Sequence, residues 1–247
     1  MTLVKICGLR DAETAVATAK AGADFIGLMF AESKRQVTPQ ECHDIVEALR
    51  ELRREKVPAL FDGPSRGEVS GKAWFGAWSE AIEDALPRFR PLIVGVFADQ
   101  DADAVNAIAE AAGIDVVQLS GGESWDFVAK IERPVIKVCH VAEQTTAAEV
   151  FDNIHPGVAA GLMLDTAKAG TRGGTGATFD WAIAVDVGHR HPFFLAGGLN
   201  PENVTDAVAQ VSPWAIDVSS GVETGGVKDI EKIRAFIRAA KGTRNDG

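Results

Sequence analysis

The sequence predicts an α/β fold: an eight-stranded parallel (β/α)8 TIM barrel with an insertion between the second helix and the third strand. Three observations point there. The length of 247 residues lies close to the ~250 typical of such a barrel. Short apolar runs alternate with helical segments along the chain, and polar residues fall at the C-terminal ends of those runs, where this architecture builds its active sites. An open doubly wound sheet is the competing arrangement. Its first strand normally leads into a GxGxxG turn, and Cys7-Gly8-Leu9-Arg10 has none.

The first strand is the apolar run from Leu3 to Ile6, closed by Cys7 and Gly8. Asp11 caps an Ala-rich helix that runs to Lys20, and Gly22 stops it. Asp24 to Phe30 is the second strand; Thr38 and Pro39 then open a helix whose pattern continues to about Lys56. Residues Val57 to Arg90 break the alternation, with Gly63-Pro64, Gly67, Gly71, Pro87, the aromatic group Trp74, Phe75 and Trp78, and a short helix expected between Trp78 and Leu86. Aromatic groups are most often core, so this stretch reads as an insertion covering the barrel rather than as a substrate lid or partner surface.

Pro91 to Ala98 resumes as strand three, followed by a helix from Asp101 to Ala112 and strand four from Asp115 to Leu119. A short helix over Glu123 to Lys130 precedes strand five, Pro134 to Val138, and a helix from Ala142 to Asn153 precedes strand six, Ala159 to Leu164, which ends at Asp165. The glycine-rich run from Lys168 to Phe179 lacks the Lys-Ser/Thr of a nucleotide loop and is expected to be a mobile lid. Strand seven is Phe193 to Ala196, a helix opens at Pro201, strand eight is Trp214 to Val218, and the last helix spans about Lys228 to Ala240. A single domain over residues 1–247 is expected.

A net charge of −10 argues against nucleic-acid binding, which needs a clustered excess of Lys and Arg. No apolar run approaches the ~18 residues of a membrane span, and the first strand begins at Leu3 without a leader, so a cytoplasmic enzyme with no membrane partner is expected. Cys7, Cys42 and Cys139 form no CxxC pair and read as reduced thiols. His189 and His191 read as solvated loop residues rather than a metal pair, because no third and fourth ligand accompany them.

On the barrel, Cys7 follows strand one, Ser33 and Arg35 strand two, Ser120 strand four, Asp165 strand six, and Ser219 and Ser220 strand eight, so all would converge on one mouth. Gly197-Gly198 after strand seven and Ser219-Ser220-Gly221 after strand eight match the barrel phosphate site, where backbone N–H groups meet an anion. A phosphorylated small-molecule substrate is implied.

The chain resembles the phosphoribosylanthranilate isomerases of tryptophan biosynthesis. The resemblance rests on KICGLR (Lys5–Arg10), SKRQV (Ser33–Val37), VGVFAD (Val94–Asp99), LDTAKAGTRGGTGATFDW (Leu164–Trp181), LAGGLNPENV (Leu195–Val204) and DVSSGVE (Asp217–Glu223). It covers essentially the whole barrel. It implies a cofactor-independent Amadori rearrangement of N-(5-phosphoribosyl)anthranilate to 1-(2-carboxyphenylamino)-1-deoxyribulose 5-phosphate. Asp165 would be the general acid on the furanose ring oxygen and Cys7 the general base on the C2 proton. Asp165 then needs a raised pKa and Cys7 a lowered one, with Arg35 and the phosphate-site dipoles favouring a thiolate. Arg35 would pair with the anthranilate carboxylate, and Asp217 would order the mouth or touch the substrate. The family usually reads QLHG where this chain has Gln118-Leu119-Ser120-Gly121, which implies altered ligand contacts or rate. A catalytically silent barrel that binds a phosphorylated metabolite is the alternative, and either a monomer or a homodimer fits.

Overall fold

The computed structural model describes residues 1–59, 61–65, 67–168, 171–172 and 181–242. Its barrel strands are β1 Leu3–Cys7, β2 Phe25–Met29, β3 Leu92–Phe97, β4 Val116–Leu119, β5 Val135–Val141, β6 Gly161–Lys168, β7 Phe194–Leu195 and β8 Ala215–Val218. They pair in parallel in chain order, and β8 pairs back with β1 at Lys5↔Asp217, which closes the barrel. Helices α1 Ala12–Lys20, α2 Pro39–Arg50, α3 Ala73–Phe89, α4 Ala102–Ala112, α5 Trp125–Val128, α6 Ala147–Asp152, α7 Trp181–Gly188, α8 Val204–Val211 and α9 Ile230–Lys241 lie between and after the strands. Thr171–Arg172 pairs antiparallel with the end of β6; the rest of the glycine-rich run expected to be a lid lies outside the described residues.

Local sequence sets the helix starts. Asp11 and Asp101 accept the N–H of Thr14 and Ala104, and Thr38 and Thr146 form capping boxes with Glu41 and Glu149. Helix α2 stops at Arg50, short of the expected Lys56, because Arg53 turns inward. Its fully buried guanidinium pairs with the fully buried Asp115 and donates to the Pro91 carbonyl, while Asp115 also accepts the N–H groups of Ala59 and Ile93. A buried ion pair holds only when its remaining valences are met in this way.

Alternation along each strand builds two apolar layers. One face of every strand packs on the helices, as Val4, Ile6, Ile26 and Leu28 do. The other faces inward, where Phe25, Val94, Val116, Ile136, Met163, Phe194 and Ala215 fill the barrel. That interior continues downward into Ile82, Ala85, Leu86 and Phe89 of α3. Trp74 Nε1 donates to the Ala159 carbonyl just before β6, and Trp214, just before β8, donates to Glu83, so α3 closes the N-terminal end of the barrel. This is the end opposite the C-terminal mouth. The helix is longer than expected, since Gly76 faces open space and Pro87 sits in the last turn, where neither outweighs the buried apolar face.

His191 departs from its expected solvation: it is buried, with its ring edge-on to Phe75 at 5.4 Å. His189 is exposed.

Candidate active site

A cavity of about 450 Å³ opens at the C-terminal ends of the strands. Cys7, Arg35, Asp165 and Asp217 line it, together with Gly197, Gly198, Ser219, Ser220 and Gly221. All the site residues expected from the sequence therefore meet in one space, joined by Ser33 and Ser120.

Strand alternation aims the polar groups. Lys5 and Cys7 point inward from β1, Asp217 from β8, and Asp165 and His140 from the paired positions of β6 and β5. Cys7 is only 3% exposed. Its carbonyl accepts a hydrogen bond from Ser219 Oγ at 3.1 Å. The next residue, Gly8, has φ +81, and a Cβ there would lie 2.6 Å from Cδ of Arg35, so only glycine lets that side chain cross the mouth. Gly197 and Gly198, at φ +91 and +66, turn the chain after β7 beside the loop after β8.

Arg35 does not stand free. Its Nε and Nη2 donate to the two carboxylate oxygens of Glu223 at 2.5 and 3.0 Å, and Lys228 Nζ donates to the same carboxylate at 3.0 Å and to the Ser219 carbonyl at 2.8 Å. Burial alone would raise the Glu223 carboxyl, but the bonds from Arg35 and the charge of Lys228 hold it at about 2.

The acid and thiol are both shifted upward. Burial, seconded by the Asp217 charge, raises Asp165 to about 6 against the pull of His140, the Thr166 N–H and Lys5. Burial also pushes the Cys7 thiol above its ordinary value; Lys5 opposes it, Asp217 adds to it, and Lys228 opposes it. The lowered thiol expected from the sequence is thus reversed. A buried strand-end sulfur at the cavity floor loses more hydration than the nearby cations return.

Four neighbours escaped notice as site residues. Lys5 sits beneath Cys7, its Nζ 2.8 Å from Asp217 Oδ1, and a lone cation inside an apolar strand was the available signal. Glu223 reaches the site through a pairing with Arg35 that spans the chain, and Lys228 through local bonds to Ser219 and Glu223. His140 emerges because β5 runs to Val141, and its Nε2 lies 3.0 Å from the Ser120 carbonyl. An imidazole therefore stands at this mouth, delivered by β5 rather than at the end of β4. Among the described residues, no group of three or more His, Cys, Asp or Glu is placed to hold a metal ion, and no helix is long and apolar enough to cross a membrane.

A family model described as N-(5'phosphoribosyl)anthranilate (PRA) isomerase matches residues 55–239. The chain is 42% identical over 246 residues to the N-(5'-phosphoribosyl)anthranilate isomerase of Dehalococcoides mccartyi, covering 98% of this chain and 96% of that protein. The chain belongs to the PRA isomerase family. The isomerase of Roseiflexus castenholzii is 36% identical over 239 residues, covering 97% and 98% of the two chains. Among solved structures, the PRA isomerase of Thermotoga maritima superposes with a TM-score of 0.73 at 30% identity, covering 98% of this chain and 100% of that one. A PRA isomerase in complex with reduced 1-(o-carboxyphenylamino)-1-deoxyribulose 5-phosphate superposes with a TM-score of 0.68 at 29% identity, covering 98% and 100%. The protein is thus a PRA isomerase of tryptophan biosynthesis, and its cavity is the place to look for the chemistry.

Proposed function

We propose that Asp165 and Cys7 are the acid and base with which this isomerase rearranges N-(5-phosphoribosyl)anthranilate. The observation that carries the assignment is an inward Asp165, raised to about 6, sharing one cavity with an inward Cys7 and the glycine and serine loops after β7 and β8. The backbone amides of Gly197, Gly198, Ser220 and Gly221, with the Ser220 hydroxyl, hold the phosphate of the substrate, and Ser219 fixes that loop through its bond to the Cys7 carbonyl. Arg35 takes the anthranilate carboxylate through its guanidinium fork in place of Glu223. Asp217 orders the mouth by fixing Lys5.

Asp165 gives its proton to the furanose ring oxygen as the anthranilate nitrogen lone pair forms the C1=N bond and the C1–O bond breaks. The Cys7 thiolate then takes the C2 proton, and those electrons form C1=C2 while the C1=N pair returns to nitrogen. The resulting enolamine tautomerises to the ketone. One turnover leaves Asp165 ionised and Cys7 protonated, and the pair resets by returning a proton to the carboxylate. The reading carries with it a cytoplasmic location and either a monomer or a homodimer.

The test is turnover of fresh phosphoribosylanthranilate without added metal, followed by loss of anthranilate fluorescence, with Cys7→Ala and Asp165→Asn beside the wild type. Rapid loss that both variants abolish supports both roles. Activity surviving in either variant overturns that residue's assignment, and no loss beyond spontaneous decay favours a silent binding barrel.

A further inference from the structure

The barrel interior below the cavity is apolar except for one cation that the proposed acid and base do not account for. Lys5 is completely buried. A lysine is kept charged in such a place only by partners of opposite or polarisable charge. Its Nζ donates to Asp217 Oδ1 at 2.8 Å, and the Cys7 sulfur, two residues along the same face of β1, lies close by and acts on it electrostatically. The opposing surface on β2 is bare. Gly27 pairs with Cys7 across the ladder, and a Cβ there would lie 2.8 Å from Cys7 Sγ and 3.0 Å from Lys5 Nζ.

Resting on the reading of Cys7 as the base, we infer that Lys5 is a positioning residue for the isomerisation: its buried ammonium, anchored by Asp217 beside the Cys7 sulfur, supplies the charge a thiolate requires there. The other charged groups around the sulfur do not replace it. Asp217 on β8 and Asp165 on β6 are carboxyls whose ionised forms oppose a thiolate. Lys228 and Arg35 are committed to Glu223, and His140 on β5 faces Asp165. Strand β2 contributes no titratable side chain. Among the cations acting on Cys7, Lys5 opposes the burial of the thiol most strongly. Burial alone would lower Lys5 itself, but Asp217 and then Cys7 outweigh it and leave its ammonium above the ordinary lysine value, so it stays a cation through neutral pH.

Without this cation, ionising Cys7 would place a thiolate near the Asp217 carboxylate with little water to separate them. The glycine at position 27 serves the same arrangement, because any side chain there would force sulfur and ammonium apart.

The experiment measures the pH dependence of Cys7 alkylation by iodoacetamide in the full chain, read by mass spectrometry of the Cys7 peptide, together with kcat and KM. Lys5→Gln keeps a donor and drops the charge, but leaves Asp217 buried without its partner. The double variant Lys5→Gln/Asp217→Asn removes both charges, so it folds without an unpaired buried ion; it is read against Asp217→Asn, in which the Cys7 thiolate is the counter-ion left to Lys5, with denaturant unfolding of both confirming that each is folded. Expected is an alkylation midpoint in the double variant at least ~1 pH unit above that of Asp217→Asn, with kcat about tenfold lower and KM nearly unchanged. Coincident alkylation profiles and equal kcat in those two proteins, with Cys7→Ala inactive, would overturn the role of Lys5 while leaving Cys7 as base. Full activity in Cys7→Ala would overturn both.

Discussion

Asp165, raised to about 6, and Cys7, raised above the ordinary thiol value, rest at neutral pH as carboxylate and thiol. On the roles proposed for them, the reactive arrangement, acid and thiolate, is a minor proton tautomer of that pair. Its share is constant between the two apparent pKa values, because each added pH unit in that range removes as much acid as it creates thiolate. The kcat profile is therefore expected to rise through about 6, stay flat, and fall only above the ordinary thiol range. A fall beginning near 6 would contradict it. Replacing Asp165 by Asn should lower kcat by roughly 10²–10⁴-fold, the usual share of a general acid. Arg35→Lys keeps charge but loses the fork, so it should raise KM more than it lowers kcat, as steady-state kinetics would reveal. Neither the direction of the thiol shift nor the Arg35–Glu223 pair was legible from the sequence. Both depend on contacts between residues nearly two hundred positions apart or on burial depth, which local pattern does not encode.

At the level of elements, apolar alternation and glycine punctuation located each barrel strand to within a few residues, because a strand buried on both faces leaves a dense apolar run. Errors fell where tertiary contacts overruled local signals. Pro87 and Gly76 hid the length of α3, and the inward turn of Arg53 ended α2 early. The place of α3 was likewise hidden, since an aromatic cluster announces burial but not which end of a barrel it covers. That position carries a prediction. Trp74 is 2% exposed and anchors α3 to the chain before β6, so Trp74→Ala should cost about 3–5 kcal/mol in denaturant unfolding. With the cavity at the other end, kcat of the folded variant should be unchanged; a large kcat loss would mean that α3 reaches the site.

The whole molecule bears a cost for keeping an ionised carboxyl in its interior at neutral pH. A carboxyl whose folded pKa is about 6 against ~3.9 unfolded binds more protons when folded, so stability falls as pH rises from about 4 through 6 and is flat above. Asp165→Asn should remove that penalty. The variant is expected to be more stable than the wild type by on the order of 2 kcal/mol at pH 7 and equal to it near pH 3.5, as paired thermal or denaturant titrations would read. Equal stability at both pH values would show that the carboxyl carries no such burden.

Glu223 gives the mouth a further property. With both oxygens on Arg35 and Lys228 beside it, it acts as a resident anion already seated on the guanidinium. Any carboxylate arriving from solution enters by exchange rather than by addition. The gain on arrival is only the difference between two similar pairs, and the displaced residue stays tethered nearby, ready to evict its rival. A site furnished in this way favours rapid traffic over long residence.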